Sequence, residues 1–198
     1  MKIPEEWLDP FNPFNSWKSL AWAQHMQGIV DGEFLPPVVI NWDLVLGCIY
    51  KCRWCIWRKR QKLPSSMVPP ELVRKIPKFL HDWGVKACCL AGDWGDPTQH
   101  PDLPTALRLL HYWNIDVGLV SNGFLFGESL IPFAAHYTKF TGFSVDAGSA
   151  DSYAAVHNTP PENFSVVITN IEHLANYAQR YNLPVQIGYK FLIFPESY

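Results

Sequence analysis

No run of the chain approaches the ~18–20 uninterrupted apolar residues that a membrane-spanning helix needs, so none is expected. Residues 1–13 carry acids and prolines and lack the basic-then-apolar pattern of a secretion signal. A cytoplasmic protein is the resulting expectation. Charge is also scarce, at 17% of 198 residues with a net of −2, and no basic field for a nucleic-acid backbone stands out. The one dense basic run, Arg58-Lys59-Arg60-Gln61-Lys62, reads first as a solvated loop and second as a contact to an anionic partner. Internal repeats, low-complexity tracts and a linker that would divide the chain are all missing. Cysteines number five, which cannot all pair, and three of them fall within eight positions. That clustering favours a metal site in a reducing compartment over a disulfide framework.

What is present argues for a packed globular chain. Hydrophobic residues make up 48%, and the length suits one domain with a substantial core. Nine tryptophans among 15% aromatics suggest a large aromatic interior or an apolar site. Residues 1–15 read as an irregular Pro- and Asn-rich arm, and Ser16 as the cap of a helix to about residue 30, stopped by Gly32 and Pro36-Pro37. From there strands and helices alternate. Strands are expected at 38–46, 85–91, 115–120, 140–145 and 185–194, with helices at 69–83, 103–113, 127–137 and 164–181 between them. Asp102 is a candidate cap for the second of these helices. Strands separated by helices imply parallel β/α units joined by right-handed crossovers. The division expected is an arm and helix at 1–35 and an α/β unit at 36–198.

In such β/α architectures, sites lie at the carboxyl ends of the strands. Those ends carry Cys48 onward, Gly92-Asp93-Trp94-Gly95-Asp96, Ser121-Asn122-Gly123, and Ser144 with Asp146. Gly47-Cys48-Ile49-Tyr50-Lys51-Cys52-Arg53-Trp54-Cys55 has Cys-x3-Cys-x2-Cys spacing, which lets one loop wrap a compact iron–sulfur cluster. Three thiolates on a cubane leave the fourth iron open, as an activating metal centre requires. A zinc site is the rival, but it would want a fourth ligand, and no second Cys/His pair is nearby. Cys88 and Cys89 lie in a strand with side chains on opposite faces and read as core thiols. His100 reads as a loop-ordering residue. His136, Tyr153 and His157 are substrate-facing candidates, better explained as exposed or core-satisfied. Lys190 interrupts an apolar strand and points either inward or to solvent.

The cysteine loop, in its place after a first strand, resembles that of the radical S-adenosylmethionine (SAM) superfamily. The resemblance implies a [4Fe–4S] cluster on Cys48, Cys52 and Cys55, with SAM bound at the open iron and cleaved by reduction to a 5′-deoxyadenosyl radical. Trp54 matches a position that packs near the adenine. Gly92-Asp93-Trp94-Gly95-Asp96-Pro97 is similar to the family's Gly-Gly-Glu-Pro stretch, which implies that Gly95 and Asp96 hold the methionine amino group. Ser121 and Asn122 resemble the turn after the third strand, and Ser144 and Asp146 the fourth-strand end near SAM's carboxylate or ribose. Gly188 falls in a stretch that looks like the fifth-strand adenine motif. Asp96 and Asp146 also read as plain turn residues. The implied fold is a partial (β/α) barrel of about five parallel strands with outer helices, shortened by one strand. The implied partners are a small-molecule or peptide substrate and a flavodoxin- or ferredoxin-type electron donor. The alternative is a non-catalytic iron–sulfur or SAM-binding protein, or a shortened inactive member of the family.

Overall fold

The computed structural model describes residues 9–55, 65–92 and 94–193, so the basic run at 58–62 and Asp93 lie outside the described residues. A short helix α1 (Lys18–Ala21) and a longer α2 (Ala23–Asp31) replace the single expected N-terminal helix. The break is at Trp22, whose ψ of 43° leaves the helical region. Ser16 does not cap the first turn. Asn15 does the turning instead, its Oδ1 accepting the Trp17 N–H at 2.9 Å. Gly32, in the left-handed region at φ 74°, stops α2 as its sequence position predicts.

Next come β1 (Val39–Asn41), β2 (Val45–Leu46), β3 (Ser66–Met67), α3 (Pro70–Trp83), β4 (Ala87–Leu90), α4 (Leu103–Tyr112) and β5 (Asp116–Ser121). The order closes with α5 (Ile131–Tyr137), β6 (Phe140–Ser144), α6 (Ala150–His157), α7 (Glu162–Arg180) and β7 (Gln186–Lys190). Five strands form one sheet in the order β1-β4-β5-β6-β7, every pair parallel. The sheet is open among the described residues, with β1 and β7 at its edges.

Local chemistry explains most of the boundaries. α3 begins with Pro70 in its first turn, where no N–H is missed, and ends on Gly84 at φ 100°. Val73, Pro77 and Leu80 recur at helical spacing and are buried. The expected helix at 127–137 starts only at Ile131, because Pro132 suits a first turn and not a helix interior. Asp102 precedes α4 without a side-chain cap bond. The expected strand 38–46 is two pieces. Trp42 still donates to Cys89 O at 2.9 Å, then β2 leaves the main sheet to pair antiparallel with β3. That small pair brackets the cysteine loop.

The core fills the space between sheet and helices. β5 is the central strand, with all but its first residue buried. Such burial on both faces is why its sequence is nearly continuous in apolar residues. From the amino-terminal arm, Phe14 stacks edge-on against Phe140 at 4.9 Å. The Phe140 ring in turn occupies the space beside Gly118, where a Cβ would stand 2.4 Å from it.

Candidate active site at the carboxyl edge of the sheet

The carboxyl ends of the strands open onto a cavity of about 610 Å³. Cys48, Cys52, Trp54 and Cys55 line it from the loop after β2, Gly95 and Asp96 from the loop after β4, and Ser121, Asn122 and Ser144 from the ends of β5 and β6. Asp146 and Gly188 are not on that wall. Asp146 is buried with φ 51°, and its Oδ1 accepts the Leu192 N–H at 2.7 Å, fastening the chain beyond β7. Burial pushes its carboxyl up, and that backbone bond together with Lys190 pulls it back. Gly188 sits on β7 opposite Gly142 and is exposed.

Two loops are locked together beneath the cysteines. The Gly47 N–H donates to Trp94 O at 2.9 Å, Gln99 Nε2 donates to Gly47 O at 3.0 Å, and Gly47 bridges Gly95 in parallel. A Cβ on Gly95 would lie 2.3 Å from Gly47 O and 2.4 Å from Val45 O, so only glycine permits this approach. On the far side, the carboxyl end of α6 holds the middle of the loop. Lys51 N–H donates to His157 O and Arg53 N–H to Val156 O, at 3.4 and 3.0 Å.

Asp96 is the joint between the β4 and β5 ends. Its Oδ1 accepts from the Thr98 N–H at 3.0 Å and from the Thr98 hydroxyl, its Oδ2 from the Asn122 N–H at 2.6 Å, and Ser121 Oγ reaches both oxygens. Burial pushes the carboxyl up, while the donors of Asn122, Thr98 and Ser121 pull against it. A carboxylate offers about four lone-pair sites, and these donors already fill them. Asp96 therefore serves the turn reading directly, as the cap of the 3₁₀ turn Pro97–Gln99 and as a clamp between strands.

The thiols are free and half-buried. Burial raises Cys48 to about 11, opposed mainly by the Tyr50 N–H, and raises Cys52 to about 12. A bound cation reverses that preference, because it deprotonates a ligating thiol. His157 is wholly buried beside them, 3.1 Å from Cys52 Sγ through Nδ1 and 2.9 Å from Val145 O through Nε2. The carbonyl only accepts, so Nε2 carries the proton and Nδ1 accepts from the Cys52 thiol. Burial lowers His157 to about 4. The sequence placed His157 among core-satisfied side chains; it is that, and it also lines the cavity with Tyr50 and Trp94. His100 orders a loop as expected, its Nε2 2.8 Å from Val68 O.

Three thiols on one short loop, all lining one cavity, are the donor chemistry an iron–sulfur cluster takes. Among the described residues no three His, Cys, Asp or Glu side chains are gathered closely enough to hold a metal ion.

The radical SAM superfamily model matches residues 43–190, and the chain belongs to that superfamily. A curated relative, the S-adenosylmethionine-dependent nucleotide dehydratase of a Fibrobacter species, is 27% identical over 57% of this chain and 35% of its own length. The probable GTP 3′,8-cyclase of Thermococcus kodakarensis is 21% identical over 77% of this chain and 49% of its own. The chain thus spans half or less of the length of these curated relatives. Among solved structures, Streptococcus suis SuiB bound to precursor peptide SuiA superposes with a TM-score of 0.63 at 18% identity, over 87% of this chain and 38% of that one. The likeness covers the five-stranded parallel sheet and its surrounding helices.

Proposed function

We propose that this chain is a radical SAM enzyme, with Cys48, Cys52 and Cys55 holding a [4Fe–4S] cluster beside S-adenosylmethionine. When bound, that pair supplies reductive cleavage of SAM and hydrogen abstraction from a substrate. The observation that supports this reading best is the convergence of all three motif cysteines with the polar ends of β4, β5 and β6 on one cavity wall. In this reading the Gly47–Gly95 bridge and the end of α6 hold the cysteine loop in place. Trp54, half-buried and edge-on to His157 at 5.2 Å, offers an aromatic face for the adenine. Ser121, Asn122 and Ser144 line the cavity, while Asp96 keeps the β4 and β5 ends in register. A SAM ammonium reaching Asp96 must displace or share one of its present donors. A flavodoxin- or ferredoxin-type protein supplies the electron. Both curated relatives are named for nucleotide substrates, but this chain covers half or less of each, so the shared segment is read as carrying the SAM chemistry.

The test is anaerobic reconstitution with iron and sulfide, reduction with dithionite, and measurement of 5′-deoxyadenosine against Cys48→Ala. Product that depends on Cys48 is expected. A fully loaded cluster that binds SAM without forming product would replace the catalytic reading with a SAM-binding one.

A further inference from the structure

Asn122 follows the last residue of β5 and is 8% exposed. Its Oδ1 accepts the Phe124 N–H at 2.9 Å, which fixes the orientation of the amide. The carbonyl side faces the backbone, so Nδ2 faces the cysteine loop, 3.8 Å from Cys48 Sγ. Its own N–H is held by Asp96 Oδ2 at 2.6 Å. The residue is therefore held at its backbone N–H by Asp96 and at its side-chain Oδ1 by Phe124, with the Nδ2 donor aimed at a sulfur. The Tyr50 N–H aims a second donor at the same sulfur from 3.4 Å.

Hydrogen bonds to ligand sulfurs are among the levers that set a cluster's reduction potential. An added electron increases the negative charge on those sulfurs. A fixed N–H donor therefore stabilises the reduced form more than the oxidised form. We propose that Asn122 tunes the reduction potential of the cluster through an N–H···S bond to Cys48, and so acts through that ligand instead of by touching SAM. This inference rests on the cluster assignment made above. It makes Asn122 a positioning and tuning residue at the point where the β5 end meets the cysteine loop.

Asn122→Asp and Asn122→Ala together separate this role from a structural one, because aspartate also adds a negative charge that lowers the potential by itself. Aspartate keeps nearly the same shape and keeps an oxygen for the Phe124 N–H, but it replaces the Nδ2 donor with a carboxylate oxygen facing the sulfur. Asn122→Ala removes both the donor and the cap. Each protein is reconstituted, assayed for iron and sulfide, and titrated potentiometrically without SAM, with the reduced cluster followed by electron paramagnetic resonance. At a fixed solution potential, the reduced-to-oxidised ratio of Asn122→Asp should fall about tenfold, equivalent to about 59 mV for one electron. Asn122→Ala should fall less, in the same direction. A fully loaded Asn122→Asp with the wild-type potential overturns the inference and leaves the cluster assignment standing. If Asn122→Asp shifts, or loads no cluster, Asn122→Ala decides, and an unshifted potential there also overturns it. A wild-type chain that takes up no cluster would instead defeat the proposed function itself.

Discussion

At the scale of single residues, Asp96 shows how a site acid can be a framework acid. Its oxygens take the donors of Thr98, Ser121 and Asn122, which belong to two different strand ends. Asp96→Ala strands the Asn122 N–H and the Ser121 hydroxyl in a buried place. Hydrogen bonds to a charged group are worth roughly 1.5–3 kcal/mol each, and unpaired buried donors cost a comparable amount. We expect Asp96→Ala to lower the unfolding free energy of the cluster-free chain by about 3 kcal/mol, read from urea denaturation. Unchanged stability together with weakened SAM binding would show that the acid serves the ligand alone. The sequence identified Asp96 as a site residue by its place after a strand. It did not reveal the clamp, because the partners Ser121 and Asn122 are 25 and 26 positions away. His157 is the sharper case. Its contact with Cys52 spans 105 positions, and nothing local distinguishes it from an ordinary core histidine.

At the scale of elements, the site depends on two loops lying closer than side chains allow. Gly95→Ala would press a Cβ onto the Gly47 and Val45 carbonyls, which are backbone atoms and cannot rotate away. Overpacking of this kind costs about 1–3 kcal/mol. Here it would also push the start of the cysteine loop outward. The expected result is a lower melting temperature with reduced iron uptake. Gly127→Ala is the control, since nothing lies within 4 Å of its Cβ position. Equal behaviour of the two variants would remove the Gly47–Gly95 contact from the argument. Elements with strong periodicity or clear stops were legible in advance: α3 between Pro70 and Gly84, and α7 with Val167, Leu174 and Ala178 on its inner face. α6 was not, because its eight residues carry only a weak apolar stripe. Its signal was the Ser149–Ser152 capping box and the left-handed stop at Asn158. The split of β1 from β2 was hidden for another reason. Trp42, Leu44 and Val45 continue an apolar strand pattern, and only the tertiary pairing of β2 with β3 pulls it out of the sheet.

At the scale of the whole molecule, protection is graded across the sheet. β5 is flanked by β4 and β6, and its inner residues are buried. β7 pairs only with β6 among the described residues, and Tyr189 on it is 68% exposed. Local opening is cheapest where backbone bonds face solvent and few apolar contacts must be broken. Within the main sheet, hydrogen exchange of the cluster-free chain should therefore be slowest in β5, intermediate in β4 and β6, and fast at the edge strands β1 and β7. Reconstitution should then add protection at residues 47–55 and 121–122, because a cluster would tie the cysteine loop to the β5 end through Cys48 and Asn122. The two halves of this prediction test different things. If β7 exchanged as slowly as β5 in the cluster-free chain, another surface would have to cover its edge in solution, since the described residues supply none. If reconstitution protected residues 47–55 but not 121–122, the loop would close over the cluster without drawing on the β5 end. Asn122 would then be a cap for Phe124 and nothing more.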